Sequence, residues 1–135
     1  MASALMRRVA VGLGALAMAG SALTLTSGTA SAAAGGGCAG ETWKQACVRQ
    51  DGGSVKFEVH GRFANADPNC RIELVALDDT TGWVDRHFNG SCAQFDGYWN
   101  LTNPSSGHAY KSEIRVYWRG GDQPYDYVQS PVLRW

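Results

Sequence analysis

Between residues 55 and 118 the chain is patterned with a period of two, and this limits what it can fold into. Val55-Lys56-Phe57-Glu58-Val59-His60 alternates apolar with polar, as a strand with one buried and one wet face requires. Arg71-Ile72-Glu73-Leu74 alternates likewise, before Val75-Ala76-Leu77 turns apolar on both faces. Tyr110, Ser112, Ile114, Val116 and Trp118 share one face of a long strand; Lys111, Glu113, Arg115, Tyr117 and Arg119 share the other. Asp78-Asp79-Thr80-Thr81-Gly82 reads as a turn leading into Trp83–Phe88, Asn89-Gly90 as another, and Gly120-Gly121-Asp122 as a third. Tyr125 to Trp135 is a last extended segment, in which Pro131 favours an edge or a bulge. With Thr42–Arg49 and Tyr98–Thr102 as short strands the total is about seven, and no stretch after residue 32 has a helical period. The expected fold is all-β: a small antiparallel β-sandwich, Ig-like or Greek-key.

The N-terminal part is different. Arg7 and Arg8 precede an apolar stretch from Val9 to Leu25, and Ala30-Ser31-Ala32 supplies a small-x-small cleavage site. Residues 1–32 are therefore expected to be a signal peptide. A retained membrane anchor is the competing reading; glycines and hydroxyl residues inside the span and the lack of a basic cluster after it argue against one. Residues 33–41, beginning Ala-Ala-Gly-Gly-Gly, are expected to be a flexible segment. Residues 42–135 are expected to form the sandwich.

Removal of Arg7 and Arg8 leaves ten basic residues against twelve acidic ones, a formal charge of −2. Scattered, mildly acidic charge argues against nucleic acid, which calls for a basic stripe, and against an electrostatic membrane patch. Cys38, Cys47, Cys70 and Cys92 all follow the leader, an even number in a chain expected to be secreted and extracellular. Two disulfides are expected. Three connectivities are open, and short loops containing turn residues favour Cys38–Cys47 and Cys70–Cys92.

No nucleophile elbow is present, and the four thiols are better used as disulfides. His60, His87 and His108 lie on expected strands or in a loop, where a surface histidine needs no catalytic role. Asp78, Asp79, Asp85 and Asp96 raise a calcium site or a carboxylate pair. The Asp78–Gly82 spacing lacks the alternation of a calcium loop, and turn-forming Asp is the simpler explanation. Asn89-Gly90-Ser91 and Asn100-Leu101-Thr102 match a glycosylation sequon common by chance. The expectation is no enzyme, no metal and no cofactor.

All fourteen aromatic residues follow the leader, including five Trp. Some fill the core, and some are expected to be anchors for a partner protein or, second, for sugar rings. Arg115, Tyr117 and Arg119 share a solvent-side strand face and Tyr125 and Tyr127 follow beyond the turn. Together they are the expected partner-binding surface, helped by the small-residue tail at Ala33–Gly37.

Gly61 to Cys70 reads Gly-Arg-Phe-Ala-Asn-Ala-Asp-Pro-Asn-Cys. This resembles the hairpin of the small proteinaceous α-amylase inhibitors secreted by actinobacteria, two-disulfide sandwiches presenting a Trp-Arg-Tyr triplet followed by Ala-Asp and a cysteine. The resemblance places the triplet at Gly61, Arg62 and Phe63, a secondary candidate binding hairpin, with Gly61 in place of Trp and Phe63 in place of Tyr. It implies an inhibitor of an extracellular glycoside hydrolase and a Cys47–Cys70 bridge. In size, export signal, four cysteines and small-residue tail the chain is also similar to the small adaptor subunit of secreted umbrella toxin particles. That resemblance implies a non-enzymatic component joining other subunits of an antibacterial toxin complex. The expected function is accordingly to bind another extracellular protein, with a carbohydrate-binding module as the remaining alternative.

Overall fold

The computed structural model describes residues 33–135, so the expected leader over residues 1–32 lies outside the described residues. Ten strands are formed among the described residues: β1 (Ala34–Gly35), β2 (Gly37–Glu41), β3 (Lys44–Asp51), β4 (Ser54–Gly61), β5 (Arg71–Asp78), β6 (Trp83–Ser91), β7 (Phe95–Thr102), β8 (Ala109–Tyr117), β9 (Asp126–Gln129) and β10 (Leu133–Arg134). One sheet runs β1-β10-β8-β5-β6, with β9 also on β8, and the other runs β2-β3-β4-β7. Every pairing is antiparallel. The chain changes sheet at β1–β2, β4–β5, β6–β7 and β7–β8. Setting β3-β4-β7 against β9-β8-β5-β6 gives an immunoglobulin-like Greek key.

The alternating residues meet where expected. Val55, Phe57 and Val59 of β4 face Ile72, Leu74 and Ala76 of β5 and Ile114 and Val116 of β8, all fully buried or nearly so. Each of these side chains except that of Ala76 contributes about 1.5–3 kcal/mol of burial. Ser112 lies in the same inward row, and its hydroxyl donates to the Glu58 carbonyl across the sandwich at 3.1 Å.

The last extended segment is one edge broken in two. β9 pairs with residues 113–116 of β8 and β10 with residues 109–110. Pro131 sits in the gap, while Ser130 exchanges hydrogen bonds with the Ser112 backbone, N–H to carbonyl at 2.8 Å and amide to Oγ at 2.9 Å. A residue without an N–H fits such an edge break.

Two local expectations are corrected. Residues 33–41 are not a flexible tail: β1 pairs with Leu133 and Arg134, and β2 pairs with β3 along its whole length. Gly36 makes the switch between sheets possible. Its φ is +79°, and a Cβ there would stand 2.6 Å from the Val48 carbonyl oxygen. Small residues offer nothing to pack, but their backbone hydrogen bonds order the segment instead. Asn89-Gly90 is not a turn either. Both residues lie inside β6, where Glu73 pairs with Asn89 but Leu74 with His87, a bulge that admits one extra residue.

Both expected disulfides form, Cys38–Cys47 and Cys70–Cys92. The first joins residues directly opposite each other on β2 and β3. The second ties the residue before β5 to the residue after β6. The Cys47–Cys70 bridge implied by the inhibitor resemblance is therefore not made. Two disulfides are consistent with an extracellular protein.

Candidate functional site: an aromatic cleft at the loop end

Strand register brings four connections to one end of the sandwich. Gly61 lies opposite Lys44 and Phe95, and Arg71 lies opposite Ser91 and Tyr117. The β2–β3 turn (Thr42-Trp43), the β4–β5 loop (62–70), the β6–β7 loop (92–94) and the β8–β9 loop (118–125) are thus neighbours. Between them opens a cleft of about 580 Å³, lined by Trp43, Phe63, Val116, Trp118, Arg119, Tyr125 and Asp126. Trp43 and Phe63 meet edge to face, 5.1 Å between centroids, and Trp118 and Tyr125 are tilted at 6.4 Å. Lys44 of one sheet forms an ion pair with Asp126 of the other beside these rings.

The walls are braced by backbone bonds. The Arg62 N–H donates to the Trp43 carbonyl at 2.8 Å, and the Phe63 N–H to the Cys92 carbonyl at 2.9 Å. The Cys70–Cys92 disulfide locks the same two loops together. The aromatic rings therefore stand on a scaffold that needs little ordering on binding.

The expected binding residues divide. Arg119 and Tyr125 line the cleft, and Tyr125 is 78% exposed. Arg115 and Tyr127 lie instead on the outer face of the larger sheet, beside a shallow hollow that also holds Glu113, Gln123, Pro124 and Gln129. Arg115 is engaged there by Glu113. Tyr127 is 61% exposed. Tyr117 is a correction: it lies on the polar face, as expected, yet is only 1% exposed. The Arg71 guanidinium covers its ring at 4.6 Å, and its hydroxyl bonds to Glu73 and Arg86 at 2.8 and 2.7 Å. Long arginine stems make a buried layer of what the pattern marks as a wet face.

Gly61, Arg62 and Phe63 do not form a hairpin. Gly61 ends β4, and Arg62 and Phe63 start the crossing to the other sheet. A Cβ on Gly61 would stand 2.3 Å from Ile72 Cδ1, so the position matched to the family's Trp is backbone pressed against the core. Arg62 is held by Asp96 at 3.1 Å. Phe63 belongs to the cleft, so the secondary candidate and the Arg119–Tyr125 pair are parts of one surface.

Trp43 and Trp118 were not singled out as binding residues by the pattern. Trp43 carried a readable signal: it occupies a two-residue hairpin turn, where Gly, Asn and Asp usually serve. Trp43 there stays outside the core cluster and keeps 40% of its surface exposed.

The histidines and aspartates are engaged with one another. His60 lies 2.8 Å from Asp96, which holds that carboxyl below the usual range with help from Arg62. His87 lies 2.8 Å from Asp85 and stacks on Trp99, 4.4 Å between centroids. His108 lies 2.7 Å from Asp78 at the opposite end. Burial pushes Asp78 upward, but hydrogen bonds from His108, Thr81 and Thr80 outweigh it and leave the carboxyl below its ordinary value. Asp78 thus organises its own turn. Among the described residues no group of three or more His, Cys, Asp and Glu is placed to hold a metal ion.

Comparison of the sequence with models of known protein families and with curated protein sequences finds no match.

Proposed function

We propose that this chain is a secreted, non-enzymatic β-sandwich whose aromatic cleft docks another extracellular protein, in its most specific form as an adaptor or assembly component of a secreted antibacterial toxin complex. The observation that carries this reading is the braced cleft itself, with Trp43, Phe63, Trp118 and Tyr125 drawn from three connections. Large rings on rigid loops supply contact area at little entropic cost, and Trp, Tyr and Arg are the residues in which interface hot spots concentrate. Loops at one end of a sandwich are also where immunoglobulin variable domains bind. The steep angle between Trp43 and Phe63 favours a protein partner over sugar, because it shapes a notch for a side chain instead of a flat platform. The hollow at Arg115 and Tyr127 is a second, separate surface, and an adaptor needs two.

The test is capture from culture supernatant on immobilised protein, wild type against Trp43→Ala plus Tyr125→Ser. A partner held at fixed stoichiometry by wild type and released by the double variant supports docking. Retention of that partner by a folded double variant rejects it. A glycoside hydrolase as the captured partner would make the chain an inhibitor, and retention of soluble glycans alone would make it a carbohydrate-binding module.

A further inference from the structure

The cleft has a charge pattern as well as an apolar lining. Asp126 is neutralised in place by Lys44, whose side chain is almost wholly buried. Arg119 differs. Its side chain is 79% exposed, and Asp67 approaches it only at 4.0 Å. The lining therefore presents rings around one outward-facing positive charge.

The backbone of Arg119 is also unusual. It takes the left-handed conformation, φ +58° and ψ +29°, inside the short Trp118–Gly120 turn. Glycine adopts that region freely, while other residues there carry strain that the surroundings must offset. Two glycines follow at once, yet Gly121 has φ −62° and ψ 159°, which any residue adopts. The chain thus spends an arginine where a glycine would be easier and keeps a glycine where none is required. Local folding does not explain an arginine at this position; a guanidinium held at the rim of the cleft does.

We propose that the cleft accepts an extended segment of the partner protein in which a large apolar side chain is accompanied by a carboxylate, and that Arg119 pairs with that carboxylate. The inference rests on the reading of the cleft as a docking surface and adds the chemistry of what docks. The apolar side chain enters between Trp43, Phe63 and Tyr125. The guanidinium fork takes the carboxylate bidentately, a geometry lysine cannot offer. Both contacts use groups already in place, so the segment supplies most of the ordering.

A random peptide library displayed on phage, selected on the immobilised protein, tests this. Selected sequences should carry Asp or Glu within about three positions of Trp, Phe, Tyr or Leu, the reach of Arg119 from the rings along an extended chain. Synthetic peptides of those sequences should bind Arg119→Gly at least about tenfold more weakly, in line with loss of a charge-assisted bidentate contact. That variant relieves the left-handed strain and should fold at least as well as wild type. Selection on Arg119→Glu should shift the enriched charge to Lys and Arg. Cleft-dependent peptides with no acidic preference and unchanged affinity for Arg119→Gly would overturn this inference and leave the docking surface standing. Peptides that bind Trp43→Ala plus Tyr125→Ser as well as wild type would overturn the docking reading itself. Binding of oligogalacturonate with no peptide selected would overturn both in favour of an acidic glycan.

Discussion

Phe63 and Trp43 meet edge to face at 5.1 Å, joining the crossover that leaves the smaller sheet to the tip of the hairpin that begins that same sheet. One contact thereby couples two connections that lie about twenty residues apart in the chain. It should be measurable as a coupling. In a double-mutant cycle on denaturant stability, Trp43→Ala and Phe63→Ala should show an interaction of about 0.5–1.5 kcal/mol. Strict additivity would mean that the two rings stand side by side without supporting each other.

The Cys70–Cys92 bridge closes a loop with a separation of 22 residues, against 9 for Cys38–Cys47. On loop-closure entropy alone the longer loop contributes about 3.4 kcal/mol and the shorter about 2.6 kcal/mol. Replacing Cys70 and Cys92 by Ala should cost more stability than replacing Cys38 and Cys47. It should also weaken partner binding, because the same bridge holds the wall that carries Phe63. Equal loss of binding from the two variants would separate the cleft from its disulfide.

Tyr117 and Tyr125 should behave oppositely. Tyr117→Phe removes a buried hydroxyl from Glu73 and Arg86 and should cost about 1–2 kcal/mol of stability with little change in partner affinity. Tyr125→Ser removes an exposed ring and should leave stability within about 0.5 kcal/mol while weakening binding. Thermal melts paired with affinity measurements on both variants distinguish them. The reverse pattern would return Tyr117 to the binding surface.

Much of the sandwich was legible because Val55 to His60 and Tyr110 to Arg119 alternate cleanly, and a period of two has one structural meaning in a half-buried strand. The pairing of the cysteines was legible from loop length. What escaped was anything decided by backbone or by covering side chains. Residues 33–41 look structureless because they carry almost no side-chain surface, but their order comes from ladder hydrogen bonds and the left-handed glycine at position 36. Tyr117 looks exposed because its face is polar; Arg71 and Arg86 then close over it. Trp43 and Phe63 belong to different hairpin and crossover segments, and only strand register brings them to one cleft.

Asp78 makes stability depend on pH at the end opposite the cleft. Its carboxyl titrates lower in the folded chain than in the unfolded one. The folded state therefore binds fewer protons in that range, and the stabilisation is complete above the unfolded value and lost as pH falls through the folded one. Asp78→Ala should cost about 2 kcal/mol near pH 7, from loss of the hydrogen bonds to Thr80, Thr81 and His108. The gap between wild type and variant should narrow on acidification below the ordinary carboxylate range. A gap constant from pH 7 to pH 2 would show that the carboxylate charge has no part in it.

Amide hydrogen exchange of the protein, alone and with its captured partner, tests the central claim most directly. The account predicts slowed exchange at residues 42–43, 62–66 and 118–125, the three connections that bear the cleft, with residues 79–82 and 103–108 at the other end unchanged. Protection confined to the 79–82 and 103–108 end, with the three cleft connections exchanging as in the free protein, would contradict it.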